Sequence, residues 1–329
     1  MQKPPQVKRS KLGRYLRLAL LILLAFVALL SVLPYLVPVA GGPDVDPASL
    51  VNSYGRFLET ENGLIYVEER GPENGTPLVL VHGFGGSTFS FRLNDAVFAA
   101  AGYRVLSLDL PGFGLSEKGT EPDYTHPAQA ETLRAVMDLS GLDRAVFVCH
   151  SMGANVVLHF AHRYPERTMA IVTVAGAPVF ETGGRIQSFF LRYPPIERAG
   201  KVALSRLVDS GRVRGLLESA VADPVTVDDT MVNGYYLRLT AGDWSSALVA
   251  MTVARPGNTL DFDIADVTVP MLLIAGAEDQ WVPPSQSLNW ASGLPNAQCE
   301  VMPEAGHLPM EERPSEFNRL VLDFLASVL

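Results

Sequence analysis

VFVCHSMGAN, residues 146–155, sets a serine between a histidine and a methionine at the end of an apolar run. The run that leads into it, RAVFVCH (144–150), reads as a strand buried on both faces. The stretch after it, 152–163, has helical spacing. Ser151 is therefore expected on a sharp strand-to-helix turn. Such a turn lifts the side chain clear of the sheet and aims the next backbone N–H outward from a helix N-terminus. It demands small residues two before and two after the serine. Gly153 meets the second demand, and Cys149, small and readily buried, takes the first.

Working outward, the same kind of run recurs at PLVLVH (77–82), YRVLSLDL (103–110), MAIVTVAG (169–176) and VPMLLIAG (269–276), with a weaker one at AQCEVM (297–302). Helical patterns fall between them, at about 88–101, 126–140, 152–163, 284–292 and 314–328. Two further strands, 54–60 and 64–70, are joined through Asn62-Gly63, a hairpin signal. The alternation predicts an α/β fold: a mostly parallel central sheet with flanking helices, opened by an antiparallel hairpin. One interval breaks the rhythm. More than 90 residues separate the runs at 169–176 and 269–276, too many for a crossover loop. Helical pieces at about 186–192, 198–208, 211–221, 228–241 and 243–253, with turns at Gly183-Gly184, Pro194-Pro195 and Pro256-Gly257, predict an inserted helical cap over 179–262. It would roof the C-terminal edge of the sheet, where open α/β sheets bind ligands. The core is then 54–178 with 263–329.

The chain has 329 residues, 48% of them apolar, enough for a large core. Its net charge of −9 is unevenly placed. Lys3, Lys8, Arg9, Lys11, Arg14 and Arg17 form a basic N-terminus (1–17), and no acid occurs before Asp44. The remainder carries −15, which argues against a nucleic-acid partner. Leu18 to Val39 is a run of 22 uncharged, mostly apolar residues, long enough to cross a hydrocarbon core of about 30 Å. We read 18–39 as a transmembrane helix and 40–53 as a linker. The preceding cations keep the N-terminus cytoplasmic and put the body on the extracytoplasmic side. The alternative is a signal peptide cleaved near Val39-Ala40-Gly41, giving a secreted protein. The two cysteines, Cys149 and Cys299, are expected to be unpaired, and no His/Cys cluster of metal-ligand spacing occurs.

A hydroxyl becomes a useful nucleophile only when a base takes its proton and the oxyanion formed is stabilised. The motifs bearing on this are His82-Gly83-Phe84-Gly85-Gly86-Ser87, Asp109 through Ser116 (DLPGFGLS), His150-Ser151-Met152-Gly153, Gly276-Ala277-Glu278-Asp279 with Val282-Pro283, and Gly306-His307. With these five in order, the chain from about residue 54 to its C-terminus resembles the α/β-hydrolase fold family, in its cap-bearing branch of serine esterases, lipases and C–C hydrolases. Cys149, where glycine is usual, is the one departure. The resemblance implies a triad in the order Ser151 (nucleophile), Asp279 (orienting acid) and His307 (base). It implies oxyanion donors at the backbone N–H groups of Met152 and Phe84. No cofactor or metal is implied.

Simpler readings compete. A serine before a helix is often only an N-cap. Glu278 is a rival acid to Asp279. His82 is expected to shape its loop by hydrogen bonding, and Asp109 to organise a turn. His150 is expected to point away from the nucleophile, and His126, His159 and His162 to be helix residues. The expected activity is cleavage of a small hydrophobic or lipid-like carboxylic ester through an acyl-enzyme. C–C bond hydrolysis or thioester hydrolysis on the same triad are the alternatives, and a non-catalytic binding module on the same fold is the reading from outside enzymology.

Overall fold

The computed structural model describes residues 11–40, 46–176, 178 and 185–329. Lys3, Lys8 and Arg9, the start of the linker (41–45) and the Gly183-Gly184 turn lie outside the described residues. In chain order the elements are α1 (Lys11–Leu36), β1 (Gly55–Thr60), β2 (Gly63–Arg70), β3 (Thr76–Val81), α2 (Asp95–Ala100), β4 (Tyr103–Leu108), α3 (His126–Leu139), β5 (Ala145–His150), α4 (Met152–Arg163) and β6 (Thr168–Val174). There follow α5 (Arg185–Leu191), α6 (Pro194–Leu207), α7 (Ser210–Ala220), α8 (Asp229–Thr240), α9 (Trp244–Ala254), β7 (Met271–Gly276), α10 (Pro284–Ser292), β8 (Ala297–Met302), α11 (Pro309–Glu312) and α12 (Pro314–Val328).

Among the described residues the strands form one eight-stranded sheet in the order β1-β2-β4-β3-β5-β6-β7-β8. The hairpin closes at Thr60 opposite Gly63, and β2 also runs antiparallel to β4. Every pairing from β4 onward is parallel. The central strands are apolar on both faces because both faces are covered. Leu78, Leu80, Val146 and Val148 pack into the core on one side of the sheet. Val79, Val81, Phe147 and Cys149 alternate with them and pack into the core on the other. The fold is thus the α/β-hydrolase arrangement that the sequence predicts.

Several details differ from expectation. The helix expected over 88–101 is a 3-10 turn, Thr88–Phe91, followed by the short α2. Thr88 N donates to buried Asp109 at 2.6 Å, and buried Asn94 donates to Met310 O and Asn318 Oδ1. These tertiary partners outcompete a continuous helix. The N-terminal apolar run is helical only to Leu36, because Pro38 disfavours helical backbone at the residue before it. Within α1, Gly13–Leu36 is long and apolar enough to cross a membrane, and it is not covered by the rest of the chain.

Helices α5 to α9 fill the interval between β6 and β7 where the cap is expected. Within it α5 and α6 pack on α9, and α7 packs on α8. Two buried polar ties hold the cap to the core. The Lys118 ammonium donates to the carbonyls of Gly114, Arg238 and Ala241, joining the loop after β4 to the end of α8. Burial pushes that ammonium down to about 7. The second tie is the buried Glu311 carboxylate, which accepts from Tyr235 of α8 and pairs with Arg92.

Cys149 and Cys299 are free, as expected: β5 and β8 are separated in the sheet by β6 and β7. Cys149 is fully buried, and its thiol donates to Val172 O at 3.4 Å. The turn therefore tolerates cysteine at this place. It tolerates nothing larger than glycine at 153, where a Cβ would stand 2.5 Å from His82 O and 2.7 Å from Val81 O. Both atoms are backbone, so α4 would have to move off β3. We expect Gly153→Ala to lower the unfolding free energy by about 1–3 kcal/mol, read as a lower melting temperature.

Candidate active site

Ser151 sits between β5 and α4 with φ 48° and ψ −117°, a left-handed backbone that a non-glycine residue seldom adopts. Its N–H is held by Val174 O at 2.8 Å, and its carbonyl accepts from Ala154 N at 3.0 Å. Its side chain makes no cap bond to the helix that follows, so the N-cap reading of this serine is set aside. The hydroxyl instead meets His307, with Oγ 3.1 Å from Nε2. On the far side of the ring, Nδ1 lies 2.8 Å from Asp279 Oδ2. Asp279 also accepts from the N–H groups of Trp281 and Val282, both on Oδ1, at 2.8 and 2.9 Å. Its rotamer is therefore fixed from three directions. Glu278, the rival acid, is exposed. All three residues of the expected triad are brought together. Asp279 and His307 are buried at the sheet's C-terminal edge.

The expected oxyanion donors are the N–H of Met152, next to the serine in sequence, and that of Phe84, on the loop after β3. Met152 opens α4, and no hydrogen bond to its N–H or to that of Phe84 occurs among the described residues. The loop bearing Phe84 runs against the nucleophile: a Cβ on Gly83 would be 3.0 Å from Ser151 Cβ. His82 holds that loop as expected. Its Nδ1–H donates to Gly83 O at 2.7 Å, and its Nε2 accepts from Leu110 N at 2.9 Å. Burial pushes its pKa down to about 4, consistent with a neutral ring. Asp109 accepts from Thr88 N and Leu115 N, and so ties that loop to the turn after β4. Burial nevertheless raises its carboxyl to about 6.

Two supports were not foreseen. His150 does not point away: its Nε2 donates to His307 O at 2.9 Å, and the two rings lie 4.9 Å apart. Burial holds it neutral, with a pKa pushed down to about 3. The other support is Glu312. Its carboxylate accepts from Gly306 N at 2.9 Å, Leu308 N at 3.1 Å and Ala222 N at 2.7 Å. The first two bracket His307, and the third belongs to the segment just after α7. His307 N itself donates to Ala220 O at 2.6 Å. A Cβ on Gly306 would strike Ala220 O at 2.5 Å, so glycine permits this contact. One sequence signal pointed here: Pro309 opens a short helix, and the loop before it leaves N–H groups in need of an acceptor.

Beside the nucleophile lies a cavity of about 310 Å³. Phe84, Phe113, Met152 and Met251 give it an apolar wall, and Arg255 and Asn258 line it elsewhere. Met251 comes from cap helix α9, so cap and core share the cavity. His126 lines it too, buried at the start of α3, while His159 lies within α4. His162, also on α4, stacks on Phe262 with ring centroids 4.0 Å apart. No group of His, Cys, Asp or Glu among the described residues is arranged to hold a metal ion.

A covered parallel sheet, a serine on its elbow and a buried histidine–carboxylate pair beneath a helical cap define an α/β hydrolase. The chain belongs to the alpha/beta hydrolase family, whose model matches residues 78–320. Among curated proteins it is 33% identical to a 2-hydroxy-6-oxononadienedioate/2-hydroxy-6-oxononatrienedioate hydrolase of Burkholderia vietnamiensis, over 84% of this chain and 96% of that one. Among solved structures, a meta-cleavage product hydrolase from Pseudomonas fluorescens superposes with a TM-score of 0.69 at 23% identity, covering 84% of this chain and 99% of that one. A bacterial membrane phospholipase A superposes with a TM-score of 0.68, also at 23% identity, covering 96% of this chain and 98% of that one. The last match leaves too few residues uncovered to omit the 26-residue α1.

Two outcomes are expected of this geometry. Glu312→Ala should lower kcat by about 10–100-fold with KM little changed, because it loosens the histidine loop without touching the cavity. Steady-state kinetics on a short soluble substrate would check it. The second concerns acid. His82 and His150 have folded-state values below the ordinary 6.5, so the unfolded chain binds protons first. Their contribution to stability is full above about pH 6.5 and is lost progressively as the pH falls from there, down to about 4 for His82 and about 3 for His150. Urea midpoints across that range should fall, and fall less steeply for His150→Gln.

Proposed function

We propose that the protein hydrolyses carboxylic esters with a hydrophobic acyl group through an acyl-enzyme, on a triad of Ser151, His307 and Asp279. The observation that carries this reading is the Ser151–His307–Asp279 relay, with contacts of 3.1 and 2.8 Å. His307 takes the Ser151 proton as Oγ attacks the carbonyl, and the N–H groups of Met152 and Phe84 receive the oxyanion. His307 then protonates the leaving alcohol, and water attacks the acyl-enzyme by the same route in reverse. Asp279 keeps the imidazole in the right tautomer throughout.

The apolar wall of Phe84, Phe113, Met152 and Met251 supports an uncharged chain beside the serine. Apart from Arg255, which lines the cavity, the nearby cations Arg92, Lys118 and Arg238 already have partners. Arg92 pairs with Glu311, Lys118 with three carbonyls, and Arg238 lies over the Phe89 ring. The proposed setting is a membrane, with α1 as an uncleaved single span, the basic residues 1–17 in the cytoplasm and the hydrolase on the other side. The length and hydropathy of α1 support this setting.

A second reading, hydrolysis of a C–C bond, is favoured by the names of the curated relatives. Their dienedioate substrate is a dianion, and Arg255 is the cavity residue that would meet a carboxylate.

A fluorophosphonate probe should label the native protein and not Ser151→Ala. p-Nitrophenyl esters should then be turned over, better with acyl chains that fill the apolar wall. Labelling without ester turnover, combined with cleavage of a vinylogous 1,5-diketone acid, would transfer the assignment to the C–C reading. An unlabelled native protein would reject both.

A further inference from the structure

We propose that α5 and α6 form a docking surface for an anionic lipid bilayer, lying on the membrane beside the emerging end of α1. The inference rests on α1 being membrane-embedded, as proposed above. Three observations carry it.

The first is exposure. Ile186 and Phe189 on α5 are 72% and 71% exposed, and Phe190, Tyr193 and Ile196 continue the strip. A contiguous aromatic and aliphatic strip of this kind on a folded surface marks an interaction site.

The second is position. Ser31 Oγ of α1 is 3.3 Å from Tyr193 OH. Arg198 of α6 donates to Pro34 O and Val37 O, and Ala40 N donates to Ser205 Oγ at 3.0 Å. The cap segment is thus tied to the last turns of the apolar helix and the residues just past it. If α1 crosses the bilayer, Tyr193 stands at the level of the lipid–water boundary, where tyrosine is enriched. The strip is continuous with a surface that already requires lipid.

The third is charge. α5, α6 and the two residues between them carry Arg185, Arg192, Arg198, Lys201 and Arg206 against the single acid Glu197. The chain as a whole is at −9. A basic, aromatic-bearing helical segment on an acidic body matches the chemistry of an anionic lipid surface. Only Lys201 is neutralised within the segment, by Glu197 at 2.6 Å.

The test uses the full chain reconstituted in phosphatidylcholine–phosphatidylglycerol vesicles whose acyl chains are brominated. Flotation reports the anchor, and quenching of a tryptophan reports docking. Phe189→Trp should show emission, above that of the parent protein, that is lost in brominated vesicles. Leu139→Trp, on α3 of the core, should keep its added emission. The loss should shrink in vesicles without phosphatidylglycerol and in high salt. Ile186→Ser combined with Phe190→Ser should reduce it while leaving turnover of a short soluble ester unchanged. A chain that floats while the Phe189→Trp emission is unquenched overturns the docking proposal and leaves the anchor standing. Cross-linking between two chains at position 189, again without quenching, overturns it in favour of a second copy as the occupant. A chain that fails to float overturns both.

Discussion

The structure depends on a backbone constraint at one residue. Ser151 is held at φ 48°, and a conformation of this kind costs about 1–3 kcal/mol for a side chain with a Cβ. It persists because its surroundings determine it from several sides. Val174 O accepts from its N–H, Ala154 N donates to its carbonyl, and α4 is drawn against β3 at a distance only Gly153 allows. That demand explains the strand order around the elbow. β5 needs β3 on one side, to receive α4 and carry the Phe84 loop, and β6 on the other, to hold the serine N–H. Ala175, just past β6, repeats the left-handed backbone at the same edge, and its N–H is held by Ile274 O on β7. The strain at Ser151 is therefore supported across four neighbouring strands, β3, β5, β6 and β7, at the buried centre of the sheet.

The histidine is placed by different means. The strand ladder of β8 ends at Met302 and does not itself fix the loop that follows. Its main chain is bound instead to the segment at Ala220–Ala222 and to Glu312 at the foot of α11. His150, next to the nucleophile, grips the same loop through His307 O. The base is thus positioned jointly by core and cap. A displaced cap would carry the imidazole with it, and a contact of 3.1 Å to Ser151 leaves little room for error. Burial raises the Glu312 carboxyl above its usual range, and the three N–H groups oppose that rise.

Much of this was legible in the residues, for identifiable reasons. Strands buried on both faces write themselves as unbroken apolar runs, so β3 to β7 were located to within a few residues. Asn62-Gly63 marked its hairpin through a turn chemistry few other pairs satisfy. The set Ser151, Asp279 and His307 was implied by the family resemblance, and the structure places each member after a strand at one edge of the sheet. What failed to show was decided by long-range contact. The stretch at 88–101 has helical spacing, but Asp109, Met310 and Asn318 capture its polar groups and break it in two. The direction of His150 depends on where His307 lies, 157 positions away. Glu312 acquires its role only once the chain after α7 is folded back beside it. No local pattern encodes such partners.

The distribution of charge gives the cap a second meaning. If α1 is the membrane anchor proposed above, the body at −15 is repelled by anionic headgroups, and the repulsion reaches about 8–10 Å at ordinary ionic strength. Left to itself it would stand away from the surface at the limit of its tether. The α5–α6 segment reverses the sign locally and adds exposed aromatic rings, on the elements that bind the end of α1. Attraction at one place and repulsion elsewhere amount to an orienting torque. The face that the proposal turns toward lipid is one helix layer from the cavity, because α5 and α6 both pack on α9, and α9 supplies Met251 to its wall. On the docking proposed above, an apolar chain leaving the bilayer at that face would meet the wall of Phe84, Phe113, Met152 and Met251 first, with the proposed oxyanion donors at Phe84 and Met152 on the same wall.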